Sequence, residues 1–292
     1  MQNTTDFNNW NINFKNNNEL KEILVNEFIK LHQEDRGLKL LNTNVQEYSL
    51  IEKFIYDIAM FHFKRLKIDF NKKYHHIEFW TNDRDCHPDS LHLDCDEVAC
   101  RNEIKSTPIL STITYFSDIH NPTIITNITE QNVITNYYDN IDLFVSFPKF
   151  LKHISFNGGN LYHGSVLMFN NKDLVNARNV LAVSLWNKPV MLNFYTNINY
   201  KKLFDKNENV FIIDKDENIN EIILDSKIQI NINDIVANRI ENNKLFIKEV
   251  FFDRTLFIKK FIDKINLEGL LLYDIPNTYH IRSCNTKNNI II

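Results

Sequence analysis

Apolar residues recur with a helical period in the first part of the chain and with a strand period from about His75 onward. Glu19–Glu34 carries Leu20, Ile23, Leu24, Phe28 and Leu31 on one face, and Gly37 follows as a stop. Ser49-Leu50-Ile51-Glu52 is a capping-box pattern, and Ile51, Phe54, Ile55, Ile58 and Phe61 then line one face of a second helix. Both helices are amphipathic and are expected to support a larger core. From His75 the pattern predicts short strands at His76–Thr81, Ile109–Phe116, Thr123–Asn127, Leu143–Phe147, His153–Phe156, Ser165–Phe169 and Asn179–Trp186. Polar turns such as Asn157-Gly158-Gly159-Asn160 separate them, which points to an all-β sandwich or barrel. After Tyr195 the pattern weakens. Strands are predicted at Val210–Ile213, Ile219–Leu224 and Leu245–Phe252, and a helix at Thr255–Ile265 with Phe257, Ile258, Phe261, Ile262 and Ile265 inward.

These elements divide the 292 residues into helical support over 1–70, a β core over 71–196 and an α+β extension over 197–292. The extension is expected to pack on the core, to form a lid, or to carry a homodimer contact. No internal repeat or Pro/Gly/Ser-rich linker is evident.

Composition narrows the function classes. The hydrophobic fraction is 43% and the charged fraction 24%, so a folded core is expected despite the abundance of Asn, Ile and Lys. The net charge is −4 and the basic residues are dispersed, which disfavours a polynucleotide partner. The polar start, Met1 to Trp10, has no apolar signal core, and no run reaches membrane-spanning length, so a cytoplasmic protein is expected. Cys86, Cys95 and Cys100 crowd one region and Cys284 is remote. Their gaps do not match the paired spacings of zinc sites, and reduced thiols explain them better.

His92-Leu93-Asp94 follows an apolar run, and His163 comes later in Leu161-Tyr162-His163-Gly164. Two histidines and one carboxylate are the smallest protein ligand set that holds Fe(II) on one face and leaves the other open. Residues this far apart can share a metal only if the sheet folds back on itself. Strand alternation alone does not separate Asp94 from Asp96, because His92, Asp94 and Asp96 share a face. Glu97 and Asp96 otherwise suit the rim of a site. Arg178 heads an apolar run, where its planar fork can grip a carboxylate; Lys172, in a polar turn, is nearer to His163 and competes for the role. His32, His120, His153 and His280 have no partners at ligand spacing, His75 and His76 precede a strand, His62 lies on a helix, and His87, close to the motif, is expected in a loop.

The segments Ile77–Trp80, Leu91–Glu97, Pro108–Ser117, Pro122-Thr123, Phe147–Lys149, Phe156–Gly164 and Arg178–Trp186, in this order, resemble the 2-oxoglutarate- and Fe(II)-dependent oxygenase superfamily, in its prolyl-4-hydroxylase-like branch. The resemblance implies a mainly β fold with a double-stranded β-helix (jelly-roll) core. It implies that His92, Asp94 and His163 are catalytic iron ligands and that Arg178 binds the distal carboxylate of 2-oxoglutarate, with Tyr115 as a second contact to that co-substrate. The implied activity is hydroxylation of a peptidyl or free amino-acid side chain, proline first, coupled to conversion of 2-oxoglutarate and O₂ to succinate and CO₂, with ascorbate as reductant. A small-molecule hydroxylase and a non-catalytic jelly-roll binding module are the alternatives; a nucleic-acid demethylase of the same superfamily is disfavoured by charge. Asn82–Asp89 is a candidate rim loop for a protein substrate.

Overall fold

The computed structural model describes residues 7–15, 19–34, 37–82, 90–118, 121–135, 142–165, 179–191, 203–224, 232–252 and 278–283. Its first element is one that a polar composition hides. Asn8–Phe14 (β1) buries Trp10 and Ile12, while Trp10 Nε1 donates to Ser155 Oγ at 3.1 Å and Asn9 Nδ2 donates to Asp216 Oδ2 at 3.2 Å. Strand pairing satisfies the asparagine backbones and Asp216 takes the Asn9 amide, while Asn9 Oδ1 is buried with no hydrogen-bond partner among the described residues. Helix α1 (Glu19–Glu34) then buries Leu20, Leu24, Phe28 and Leu31, as the spacing predicts.

Two short strands, β2 (Lys39–Leu40) and β3 (Glu47–Tyr48), lead to α2 (Leu50–Arg65). The capping box forms: Glu52 N donates to Ser49 Oγ at 3.3 Å, and Ser49 N donates to Glu52 Oε2 at 3.0 Å. Glu27 of α1 supplies a further acceptor for this helix start, taking the Ile51 N–H at 2.8 Å. Inside the helix Phe54 has no exposed surface and meets Phe116 and Phe211 edge-on, with centroids 5.8 and 4.9 Å away. Replacing Phe54 with Ala is expected to cost about 3–5 kcal/mol. Urea unfolding reads this directly, and a loss below about 1 kcal/mol would mean that the helix is not locked to the sheet.

The β region runs through β4 (His76–Asn82), β5 (Ser90–His92), α3 (Glu97–Arg101), β6 (Leu110–Tyr115), β7 (Thr123–Thr126), α4 (Glu130–Thr135), β8 (Asp142–Ser146), β9 (Lys152–Phe156), β10 (His163–Ser165) and β11 (Val180–Trp186). It continues with β12 (Phe204–Asp205), β13 (Phe211–Lys215), β14 (Ile219–Leu224), β15 (Ile232–Ile240), β16 (Lys244–Phe252) and β17 (Thr278–Ser283). One sheet has the order β13-β1-β9-β6-β11-β4-β2 and a second the order β14-β17-β8-β7-β10-β5-β16-β15, while β12 pairs with β3. Pairing among these described strands is antiparallel except between β14 and β17. The protein is therefore mainly β, as the sequence predicts.

From β4 to β11 the chain passes repeatedly between the sheets: β4, β6, β9 and β11 lie in the first, and β5, β7, β8 and β10 in the second. Every residue of β11 is buried because both its faces are covered. Leu181, Val183 and Leu185 join the helices in one core, and Val180 joins Tyr115, Ile154, Ile125 and Phe144 in another that spans the two sheets. Segments beyond residue 196 are hydrogen-bonded into both sheets: β13 pairs with β1, β16 with β5 and β17 with β8. The predicted strand Ser165–Phe169 begins two residues earlier, so that His163 itself lies in a strand; positions 166–169 lie outside the described residues. The predicted helix Thr255–Ile265 also lies outside them. No helix among the described residues is long and apolar enough to cross a membrane.

Candidate metal centre

His92 closes β5, and His163 opens β10, its neighbour in the second sheet. The two are direct antiparallel partners in register, which places their side chains on the same face across one strand gap. Their ring centroids are 4.5 Å apart. This pairing solves the problem of sequence distance: sheet register, not chain proximity, brings the histidines together.

Asp94 lies just past β5, where the chain crosses toward the first sheet. Leu93 N donates to Lys248 O at 2.8 Å and Asp94 N donates to Gly158 O at 2.9 Å, so the crossing is fixed on both sides. Asp94 Oδ1 then stands 3.7 Å from His92 Nε2 and 3.5 Å from His163 Nε2. Ligand atoms of His92, Asp94 and His163 all lie within 4.8 Å of one another. They can hold a metal ion.

Protonation states suit that use. His163 Nδ1 lies 2.9 Å from the Leu161 carbonyl, which can only accept, so Nδ1 carries the proton and Nε2 presents its lone pair. Burial pushes the His92 pKa down to about 4, and the neighbouring His163 pushes the same way. Burial alone would raise the Asp94 pKa, but His163, His92 and the Ser111 hydroxyl together hold it below the usual carboxylate range. At neutral pH the His92 imidazole is thus neutral and the Asp94 carboxylate ionised. Two nitrogen donors and one oxygen donor fit Fe(II) by their chemistry.

The centre lines a cavity of about 530 Å³, open on one side, between the two sheets. Trp80, Asn82, Ser111, Ile113, Val180 and Ala182 come from the first sheet, and Thr123, Gly164 and Ser165 from the second. Beside the cavity, two positions before Trp80 on the same strand face, Glu78 is buried and accepts a hydrogen bond from Trp186 Nε1 at 3.2 Å. Burial raises its pKa to about 8, and Asp94 adds to the shift.

The carboxylates that pattern alone does not separate take different roles. Asp96 caps α3, with Oδ1 accepting from Val98 N and Ala99 N at 3.0 Å, and its Oδ2 accepts from Met191 N at 2.7 Å. Glu97 pairs with Lys248. Tyr115 is fully buried; its hydroxyl donates to the Ser146 carbonyl at 3.0 Å and is paired with the Thr123 hydroxyl at 2.9 Å. Thr123, not Tyr115, is on the cavity wall. Cys95 and Cys100 are free thiols hydrogen-bonded to each other. Arg178, Lys172, Cys86, His87, His120 and Cys284 lie outside the described residues.

Ser111 and Gly158, which touch Asp94, carry no motif of their own, and sequence pattern passes over both. A signal for the glycine does exist: three of only five glycines in the chain, Gly158, Gly159 and Gly164, fall within a few residues of His163. His62 and His153, which have no partners in sequence, share a hydrogen bond of 2.9 Å between their Nε2 atoms.

No protein-family model matches the sequence, and no curated protein matches it. Among solved structures, the chain is similar to a prolyl-4-hydroxylase of Pseudomonas putida, with a TM-score of 0.37 and 10% identity over 61% of this chain and 91% of that one. It is also similar to IDO from Bacillus thuringiensis, with a TM-score of 0.36 and 13% identity over 61% of this chain and 91% of that one.

Proposed function

We propose that the chain is an Fe(II)- and 2-oxoglutarate-dependent dioxygenase that hydroxylates a peptidyl or free amino-acid side chain, with proline the first candidate. The observation that carries this is the convergence of His92, Asp94 and His163 at a cavity between two sheets, with three protein donors on one side and open space on the other. Strand order supports the same reading. The inner orders β9-β6-β11-β4 and β8-β7-β10-β5 are the ones expected of a double-stranded β-helix numbered from β4.

In this reading His92 Nε2, His163 Nε2 and Asp94 hold the metal, and Ser111 orients the carboxylate. Bound Fe(II) with 2-oxoglutarate and O₂ would supply the oxidising chemistry and release succinate and CO₂. The protein's part is to keep the His92 imidazole neutral, to keep Asp94 ionised and to wall off the cavity with Trp80, Ile113, Val180 and Ala182. Thr123 presents a hydroxyl on that wall, and Tyr115 holds it in place from behind. Arg178, two positions before the cavity residue Val180, is proposed to grip the distal carboxylate of the co-substrate.

The test is succinate formation from 2-oxoglutarate by anaerobically purified protein given Fe(II), ascorbate and then O₂, with and without proline-containing peptides, beside His92→Ala. Succinate from the wild type alone supports the proposal. Iron binding with no succinate under any of these conditions would move the chain to a metal-holding binding module.

A further inference from the structure

We propose that Ser111 makes Asp94 a one-oxygen ligand, and that Gly158 is a glycine so that this contact can form. This rests on the metal reading of the site. The two carboxylate oxygens of Asp94 do different things. Oδ1 faces both histidine Nε2 atoms, at 3.7 and 3.5 Å, while Oδ2 accepts from Ser111 Oγ at 2.5 Å. A hydrogen bond to an ionised carboxylate is about twice as strong as a neutral one, and Ser111 is 3% exposed, so water competes little for it.

The geometry of the clamp comes from both sheets. Asp94 belongs to the crossing that follows β5 in the second sheet, whereas Ser111 belongs to β6 in the first. Gly158 lies just beyond β9 and holds the Asp94 backbone through its carbonyl. A Cβ at Gly158 would fall 2.2 Å from Ser111 Oγ and 2.4 Å from Asp94 Oδ2, closer than real contacts allow. Any side chain there drives the serine and the carboxylate apart. Peptide and side chain of Asp94 are therefore fixed together, with one oxygen turned into the site and one turned out.

The consequence is coordination number. Three protein donor atoms leave the remaining positions to the co-substrate, whereas a carboxylate free to turn both oxygens inward occupies one more. Ser184 provides an internal control. It is the register partner of Ser111 on β11, is 1% exposed, and its hydroxyl has no hydrogen-bond partner among the described residues. Deleting that hydroxyl removes the same atoms from the same layer without touching Asp94.

The experiment is anaerobic titration with Co(II), read both as affinity and as the visible absorption of the bound ion. Ser111→Ala is expected to weaken Co(II) binding about 10–100-fold. It is also expected to lower the intensity of the d–d bands, because the freed Oδ2 raises the coordination number. Ser111→Thr keeps the hydroxyl and restores both readings, and Ser184→Ala leaves both unchanged. A role in folding alone would reduce the fraction that binds without altering the spectrum of what is bound. Should Ser111→Ala fail to fold, Gly158→Ala carries the same prediction by pushing the pair apart. Wild-type affinity and spectrum in a folded Ser111→Ala or Gly158→Ala overturn the assignment while leaving the metal reading in place. Absence of Co(II) binding by the wild type overturns both.

Discussion

Asp94→Ala should abolish tight Fe(II) binding, weakening it by more than about 100-fold, and leave the two-sheet fold intact. Asp94 is the carboxylate that faces both histidine nitrogens, and it is held ionised by its surroundings. Without it two imidazoles remain, a donor set with no negative charge to offset a divalent cation. Asp96 cannot take over, because both its oxygens are committed to the α3 start and to Met191 N. Asp96→Ala should therefore show the opposite profile. It should cost stability of about 1 kcal/mol through the lost cap and reduce Fe(II) affinity far less than Asp94→Ala. Calorimetric titration with Fe(II) under argon, paired with thermal melts, separates the two. Equal metal loss in both variants would show that the second carboxylate also serves the centre.

That contrast marks where sequence reasoning stops. The helices were legible because their apolar spacing and the Ser49–Glu52 box are local signals, and α1 and α2 follow them. The strands flanking the site were legible because short apolar runs are separated by polar turns. The histidine pair and Asp94 could be nominated, but nothing local says that His92 and His163 face each other; strand register across the sheet decides that. The same limit hides Ser111. An alternating strand serine has no signature until a carboxylate from another segment is placed against it. β1 escaped for a different reason: its asparagines read as a polar segment, and only pairing with β9 and β13 shows why they are tolerated. The buried histidine pair escaped likewise, since one partner is on a helix and the other on a strand.

That pair and a group of buried carboxyls should give the stability of the metal-free protein two opposed dependences on pH. Arg65 Nε donates to His62 Nδ1 at 3.2 Å, so His62 must donate from Nε2 to His153 Nε2, and His153 Nδ1 in turn donates to Thr114 Oγ1 at 2.8 Å. Both rings are buried and neutral in this chain. Burial pushes His153 down to about 3 and His62 well below its ordinary 6.5. As pH falls below 6.5 the unfolded chain takes up protons that the folded one refuses. Each histidine then costs about 1.4 kcal/mol per pH unit. The carboxyls act in the opposite sense. Burial raises Glu78 to about 8, Glu27 to about 7 and Asp57 to about 6. Their contribution is full below the unfolded carboxyl pKa and is lost as pH rises through those folded values. Between roughly pH 4.5 and 6.5 the two slopes oppose. Above that window the histidine pair no longer contributes a slope while Glu78 and Glu27 still do; below it the carboxyls are spent and the pair still contributes. Urea midpoints across pH 4 to 8 test the shape, and two variants dissect it. Glu78→Gln removes the group with the highest folded value, so it should gain on the wild type as pH rises from 6 to 8. His153→Gln keeps an acceptor for His62 and should lose less stability than the wild type as pH falls from 6.5 to 4. A Glu78→Gln curve parallel to the wild type over pH 6 to 8 would mean that Glu78 is already ionised beside Asp94 in the folded protein.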